Sequence, residues 1–500
     1  MKTAKTKVID LHGRTVIPGI TDAHLHMWFG ALTLHGFNFW TAEERLSPDD
    51  GDTFVEKLKE FAAKHPSDKV LFGRAHFDFA TGAKSSANRQ LLDRAVPDRA
   101  VVIHQDGEHA MWVNSKALEM AHITDKPVAD PEEEKFVVRD AQGHPTGLLV
   151  EPAMQIMERS LPPLSTAQRA AMLRDAAHEL NRYGITSVVN ATGDLKQIEA
   201  LAFLRDRGEL TVRTKTAFGK VSVKHHLTPQ FLSDLGNARA LYHDEWVSAN
   251  LVKFFADGEG KTVSRYVSGD GGEYSPGWYT PKEFQQIVTE LDRRGYQIMT
   301  HSIGNAASHM VLDAYQAAEK ANGPRDRRFR MEHAGSFTPQ DVPRLAQLFV
   351  AHVSQPAFCC RADNPPRKSS QWESFEKSGA HVAFSSDWPC TWPPDVFDGI
   401  QEAVTRRVRD FDTEIPAVPA QYSLPAERLT AQQALDAYTK GSAWVAFAEN
   451  RTGTLEPGKD ADLAVLSQDF LDVPPDRIDK TRVLLTMVGG KVVFNEMPAK

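Results

Sequence analysis

Val16-Ile17-Pro18-Gly19-Ile20-Thr21-Asp22-Ala23-His24-Leu25-His26 is an apolar run that ends in His-x-His. In an extended strand, residues i and i+2 share a face. His24 and His26 therefore offer two imidazoles to one point at the strand's end. Neutral imidazole is a common ligand for zinc and other divalent metals. Two ordinary half-buried histidines would give the same local pattern, so the meaning of the segment depends on what lies downstream.

Downstream lies an alternation. After Asp52–Lys64, whose Phe54, Leu58, Phe61 and Ala62 recur at helical spacing, it becomes regular from about residue 165. Helix 166–182 leads to strand 185–190, helix 194–207 to strand 211–218, and a helix near 229–240 to strand 250–255. Helix 281–294 leads to 296–301, 305–320 to 328–333, 339–347 to 349–354, and 371–378 to 381–385, with helix 395–409 after it. With the strand in 18–26 this makes eight units, which predicts an α/β fold, a (β/α)8 TIM barrel. Residues 65–160 break the alternation with short strands (70–72, 100–104, 136–139), turns and aromatics. They read as an inserted subdomain capping the active site, closed by Leu161-Pro162-Pro163. Strands at 461–466, 483–488 and 491–494, with Val8-Ile9-Asp10 and Thr15-Val16-Ile17, predict a small β-sandwich domain built from both chain ends. The expected division is 1–17 and 448–500 for that domain, 18–64 and 161–447 for the barrel, and 65–160 for the cap.

Composition agrees with a large globular core: 41% of the 500 residues are hydrophobic and 25% charged. Fifty-eight basic against 66 acidic residues give a net charge of −8, and no long basic run is present. Both argue against a nucleic-acid partner. Three cysteines, Cys359, Cys360 and Cys390, do not make a disulfide framework. No apolar run approaches the ~20 residues that span a membrane, and the first residues lack a signal-peptide core. The expectation is a cytoplasmic protein acting on a small molecule, with no membrane partner, and a homodimer is compatible with it.

Active sites of such barrels lie at the C-terminal ends of the strands. There the first strand delivers His24 and His26, the fifth His301, the sixth His333 and the eighth Asp387. The fourth carries Lys253 in an otherwise apolar run. A buried lysine tends to lose its charge, and a neutral amine can add carbon dioxide to become a carbamate, an oxygen ligand able to bridge two metals. The alternative is a lysine paired with an acid such as Asp257. Arg330 and Glu332 alternate with His333 and read as facing away from it, in barrel–helix packing or an ion pair. Trp28, Phe29, Phe77, Phe79, Trp112, Trp278, Trp388 and Trp392 cluster near these segments and could line an apolar pocket. Cys359 and Cys360 read as structural, and His225-His226 and Arg406-Arg407 as solvated surface.

These residues sit in segments that resemble the amidohydrolase superfamily and, within it, the YtcJ-like metal-dependent hydrolases (amidohydrolase family 3). The matching pieces are Val16–His26, Asp106-Gly107-Glu108-His109-Ala110-Met111-Trp112-Val113-Asn114, Val252–Gly258, His301-Ser302-Ile303-Gly304-Asn305, Arg330–Ala334, Ser354-Gln355-Pro356, Ser385–Pro389 and Gly453–Leu463. The resemblance implies two divalent metal ions, zinc being the expected one. His24, His26 and Asp387 would hold the buried ion and His301 and His333 the more exposed one, with carboxylated Lys253 bridging. It further implies attack by a metal-bridged hydroxide on a polarised carbonyl, with Asp387 as the proton-transfer residue. Substrate contacts would come from His109, Trp112, Asp257, Gln355 and Trp388. Two positions depart from the pattern: Asn305 stands where the group usually has Asp, and Asn190 where an acid is common. Members also carry several more strands ahead of the segment matching Val8-Ile9-Asp10, so the β domain is expected to be reduced or the chain to begin late. The expected activity is hydrolysis of a C–N bond in an amide, N-formyl or cyclic-amide substrate. The rival readings are a mononuclear deaminase-type enzyme and a catalytically inactive barrel used for binding.

Overall fold

Helix Thr166–Arg182 illustrates how the alternation is built. Ser165 caps it in a reciprocal box with Gln168, and Ala170, Leu173, Ala177 and Leu180 form the buried stripe. The stripe packs on a parallel sheet, where each strand is buried on both faces and reads as nearly continuous apolar sequence. The computed structural model describes residues 6, 8–41, 44–79, 81–219, 226–258, 277–334, 337–358, 370–407 and 425–497. Cys359, Cys360 and His225 lie outside them.

Eight parallel strands form one sheet: β1 (Ile20–Leu25), β2 (Ile185–Gly193), β3 (Arg213–Phe218), β4 (Val247–Phe255), β5 (Gln297–His301), β6 (Arg330–Glu332), β7 (Ala351–Ser354) and β8 (His381–Phe384). Each pairs with its sequence neighbour in this series, from β1 through to β8, the order expected for a (β/α)8 barrel. The joint between β8 and β1 lies just past the end of β8. Asp387 N donates to His24 O at 2.8 Å and His26 N to Trp388 O at 2.7 Å. Asp22 reinforces the joint: its buried carboxylate accepts from Ser386 Oγ at 2.5 Å, from Ser386 N at 3.2 Å and from His24 N at 3.1 Å.

The opposite, N-terminal end is stoppered by the helical segment at 442–446. Arg328 Nη1 donates to Trp444 O at 2.7 Å and Gln297 Nε2 to Val445 O at 2.9 Å, while Lys215 Nζ lies 3.5 Å from Ala446 O. Three carbonyls at a helix C-terminus are thus met by side chains from or beside three barrel strands; Trp444 O also accepts from Phe447 N at 3.0 Å.

The expected β domain is present as a four-stranded antiparallel sheet of Val16–Pro18, Leu463–Leu466, Val483–Val488 and Lys491–Asn495, contributed by both chain ends. Val8-Ile9-Asp10 does not join it, and Val8 is exposed. Arg406, expected on the surface, is buried: its guanidinium lies over Trp372 and donates to Ser370 O. Arg407 is exposed, as expected.

The insertion is a six-stranded mixed sheet, Phe37–Asn38, Val70–Ala75, Ala100–Gln105, Ala110–Val113, Pro145–Val150 and Val137–Arg139 in spatial order. One of its apolar clusters contains Phe37, Phe39, Phe54, Leu58, Leu92 and Trp112. Helix Asp52–Lys64 and the strand at 37–38 therefore belong to the insertion, whose core begins well before residue 65. Local periodicity placed the helix correctly; its partner is long-range and was not readable there.

Replacing Asp22 by Ala strips acceptors from three donors at the β8–β1 joint. Each buried donor left unpaired costs about 1–3 kcal/mol, so Asp22→Ala should lose on the order of 3 kcal/mol in urea unfolding. A loss below 0.5 kcal/mol would mean that the joint does not depend on this carboxylate.

Candidate metal centre

The strand ends bring the expected histidines together. His24 lies 5.4 Å from His26 and 4.8 Å from His333 between ring centroids, and His333 lies 4.7 Å from His301. Asp387 Oδ1 sits 3.1 Å from His26 Nε2 and 3.5 Å from His24 Nε2. His24, His26 and Asp387 form a buried group whose ligand atoms lie within 4.8 Å of one another and could hold a metal ion. Lys253 Nζ is 3.3 Å from His24 Nε2.

Two of these residues reach the centre by leaving strand geometry. His333 and Asp387 have φ of +62° and +57°, a left-handed conformation uncommon outside glycine. After Glu332, strand parity would send His333 outward; the positive φ turns it back in. Arg330 and Glu332 accordingly face the barrel interior rather than the helices, fully buried. The ion-pair half of their reading stands: Arg330 Nε and Nη2 donate to Glu332 at 2.7 and 2.9 Å, and Nη2 also donates to Ala23 O.

The rings are tethered by their far nitrogens. His24 Nδ1 donates to Glu332 Oε2 at 2.5 Å and His333 Nδ1 to Gln355 Oε1 at 2.8 Å, since neither acceptor can donate. His26 Nδ1 is 2.7 Å from Thr192 Oγ1. His301 is hydrogen-bonded to the Gly258 backbone. With Nδ1 protonated, Nε2 of His24 and His333 carries a lone pair. Burial, reinforced by neighbouring positive charges, pushes His24, His301 and His333 well below the usual imidazole range, so they are neutral. His301 Nε2 and Asp387 Oδ1 are buried with no hydrogen-bond partner among the described residues. Buried polar atoms left without a partner are unfavourable unless a cation joins them. This donor set, with each ligand ring fixed from behind, fits a divalent metal.

Burial also lowers Lys253 to about 8, against the opposing pull of Glu332 and Asp387. Asp257 accepts from the backbone N–H of Ile303 and Gly304 at 3.0 and 2.8 Å, and its Oδ1 lies 3.8 Å from His301 Nε2.

Of the expected substrate contacts, His109 lies at the mouth, its ring 5.7 Å from that of His301. Trp112 and Trp388 do not line it. Trp112 is buried in the insertion's core against Phe54 and Phe77, its Nε1 donating to Asn88 O. Trp388 is fully buried over Gly30, where a Cβ would come within 1.9 Å of its ring. Asp257 holds the loop after β5, and Gln355 braces His333 while donating to Ser385. Phe29 does reach the centre, lying between His26 and His104 at 5.7 and 5.3 Å. Asn190 accepts from Met27 N at 3.0 Å and so anchors the turn after His26. Glu332 and Thr192 were missed as supports. The available signal for Glu332 was Arg330-x-Glu332, an i, i+2 charge pair inside a buried strand.

A profile of the amidohydrolase family matches residues 7–494. The putative amidohydrolase YtcJ of Bacillus subtilis is 26% identical over 98% of this chain and 91% of its own. The N-substituted formamide deformylase of Arthrobacter pascens is 24% identical over 97% and 89%. Among solved structures, an uncharacterized metal-dependent hydrolase from Pyrococcus horikoshii OT3 superposes with a TM-score of 0.72 at 22% identity, covering 94% of this chain and 90% of that one. It shares the fold. Among the described residues no helix is long and apolar enough to cross a membrane.

Two outcomes follow from the tethering and the burial. Glu332→Gln should weaken metal binding roughly 10–100-fold, the usual cost of losing a ligand's rear support, in a competition titration against a chelator; unchanged affinity would remove Glu332 from the site. Lys253 has a folded pKa of about 8 against 10.5 for the free side chain. The metal-free protein therefore carries a penalty that is full below pH 8 and fades as pH rises to 10.5. Lys253→Met should stabilise the metal-free protein by about 3 kcal/mol at pH 7, with the advantage shrinking toward pH 10. A pH-independent difference would contradict the burial effect.

Proposed function

The chain belongs to the amidohydrolase family and is a hydrolase of carbon–nitrogen bonds, and from that premise we propose that it cleaves an amide, N-formyl or cyclic-amide bond at a centre of two divalent metals, zinc in the simplest case. His24, His26 and Asp387 would hold one ion, His301 and His333 the other, and carboxylated Lys253 would bridge them. The observation that carries this reading is the tethering of neutral imidazoles around an unpartnered carboxylate oxygen. When bound, the metals supply Lewis-acid polarisation of the carbonyl and activate water at neutral pH.

The chain's own residues do the rest. Asp387, fixed through its backbone to His24, takes a proton from the attacking water on its carboxylate and returns it to the leaving nitrogen. His109 contacts the substrate from the insertion, and Phe29 forms an apolar wall beside His26. The Arthrobacter relative's name supports the N-formyl class. The low cysteine count suits a reducing, cytoplasmic compartment.

One observation favours a mononuclear deaminase-type enzyme: the tightest ligand group contains only His24, His26 and Asp387. Elemental analysis of metal-supplemented protein separates the readings. About two ions per chain are expected, lost in the His24→Asn, His26→Asn double variant; one supports the deaminase reading, and none supports an inactive binding barrel. On a panel of amides, formamides, hydantoins, carbamates and lactones, Asp387→Asn should keep its metal and lose a factor on the order of 10²–10⁴ in kcat. Turnover within a few-fold of the parent would exclude Asp387 as the proton carrier.

A further inference from the structure

Residues 104–109, His-Gln-Asp-Gly-Glu-His, run from the end of the insertion's strand Ala100–Gln105 through the loop that leads to Ala110–Val113. The loop brings two histidine–carboxylate pairs to the barrel mouth. His104 Nδ1 lies 2.7 Å from Glu108 Oε2, and His109 Nδ1 lies 3.1 Å from Glu151 Oε1. Glu151 comes from a different place, the end of strand Pro145–Val150. Its backbone N–H donates to His109 O at 2.9 Å while its carboxylate takes the Nδ1 proton. The two residues thus hold each other by main chain and side chain at once.

Both glutamates sit where glutamate is uncomfortable. Glu108 has φ +64° and Glu151 φ +45°, and both are buried, Glu151 completely. A glycine would adopt either conformation at less cost. Strain of this kind persists where the surroundings enforce it, and it gathers at ligand clamps and active sites. At 151 the left-handed turn lets one residue continue the ladder to His109 and fold its carboxylate back onto the same histidine. A residue needed only to end the strand would have no use for the acid.

We infer that Glu151 is a positioning residue for hydrolysis: it fixes the tautomer and orientation of His109, so that the ring meets the substrate over His301. This inference rests on the amide-hydrolase reading above. His109 is the group that touches substrate; Glu151 acts through it. The carboxylate accepts Nδ1–H, which directs the ring's other edge away from Glu151.

The test is a double-mutant cycle on metal-loaded protein with 4-nitroformanilide and 4-nitroacetanilide as probes. Glu151→Gln keeps the shape and should lower kcat/KM by about 10–100-fold, the range for rear supports of site histidines, with metal content unchanged. His109→Ala should lose at least as much. The double variant should match His109→Ala within about two-fold, because Glu151 then has nothing to orient. Glu151→Gly should melt above Glu151→Ala, since it relieves the positive φ, yet be no more active. Losses that multiply in the double variant, or a Glu151→Gln enzyme within three-fold of the parent, overturn the inference while leaving amide hydrolysis intact. A wild-type protein that hydrolyses neither probe nor any other C–N substrate overturns both.

Discussion

Closing the barrel and building the metal centre are one act in this chain. The last strand meets the first through the backbone of His24, His26, Asp387 and Trp388, so the residues that complete the cylinder are the candidate ligands or their immediate neighbours. The main-chain bond from Asp387 to His24 fixes the distance between two members of the candidate metal-binding group without help from any ion. Preorganisation of this kind is what a metal site needs, because ligands held by their own backbone lose little freedom on binding. The buried carboxylate of Asp22 then protects the joint from the side away from the mouth.

From that joint, support runs inward. His24 leans on Glu332, Glu332 on Arg330, and Arg330 on the carbonyl of Ala23, one residue before His24. The loop of contacts returns to its start. An ion pair fully inside a barrel is a poor source of stability by itself, since desolvation offsets its attraction. Here it has a second use, holding one imidazole with a chosen nitrogen outward. His333 and His26 are braced by neutral groups, Gln355 and Thr192, so the anionic brace falls on only one of the three.

The barrel, and the gathering of His24, His26, His301, His333 and Asp387 at its mouth, were legible in the sequence because both rest on local periodicity: a strand delivers its last inward residue to the mouth whatever surrounds it. The orientation of Glu332 was not legible, because parity counting assumes an extended chain and His333 is left-handed. Trp112 was misplaced for another reason. Its neighbours in sequence point to the site, but its ring packs on Phe54, nearly sixty residues away, and no local pattern reports that contact. The packing of helix Asp52–Lys64 into the same cluster is long-range in the same way. Asp387, by contrast, was readable from chemistry, as an acid at the end of an apolar strand with better caps available elsewhere.

Val16–Pro18 pairs with Leu463–Leu466, so the short strand leading into β1 finds its partner about 450 residues later. On a ribosome adding ~5–20 residues per second, that wait is roughly 20–90 s. The stopper at 442–446 emerges just before that partner strand. Throughout synthesis the nascent chain therefore carries a sheet edge without a neighbour and a cylinder open at its base. Such intermediates are sticky, and the insertion, with its own two-sided core, is the portion able to mature first. The pairing of Val16–Pro18 with Leu463–Leu466 can close only after every barrel strand has been made.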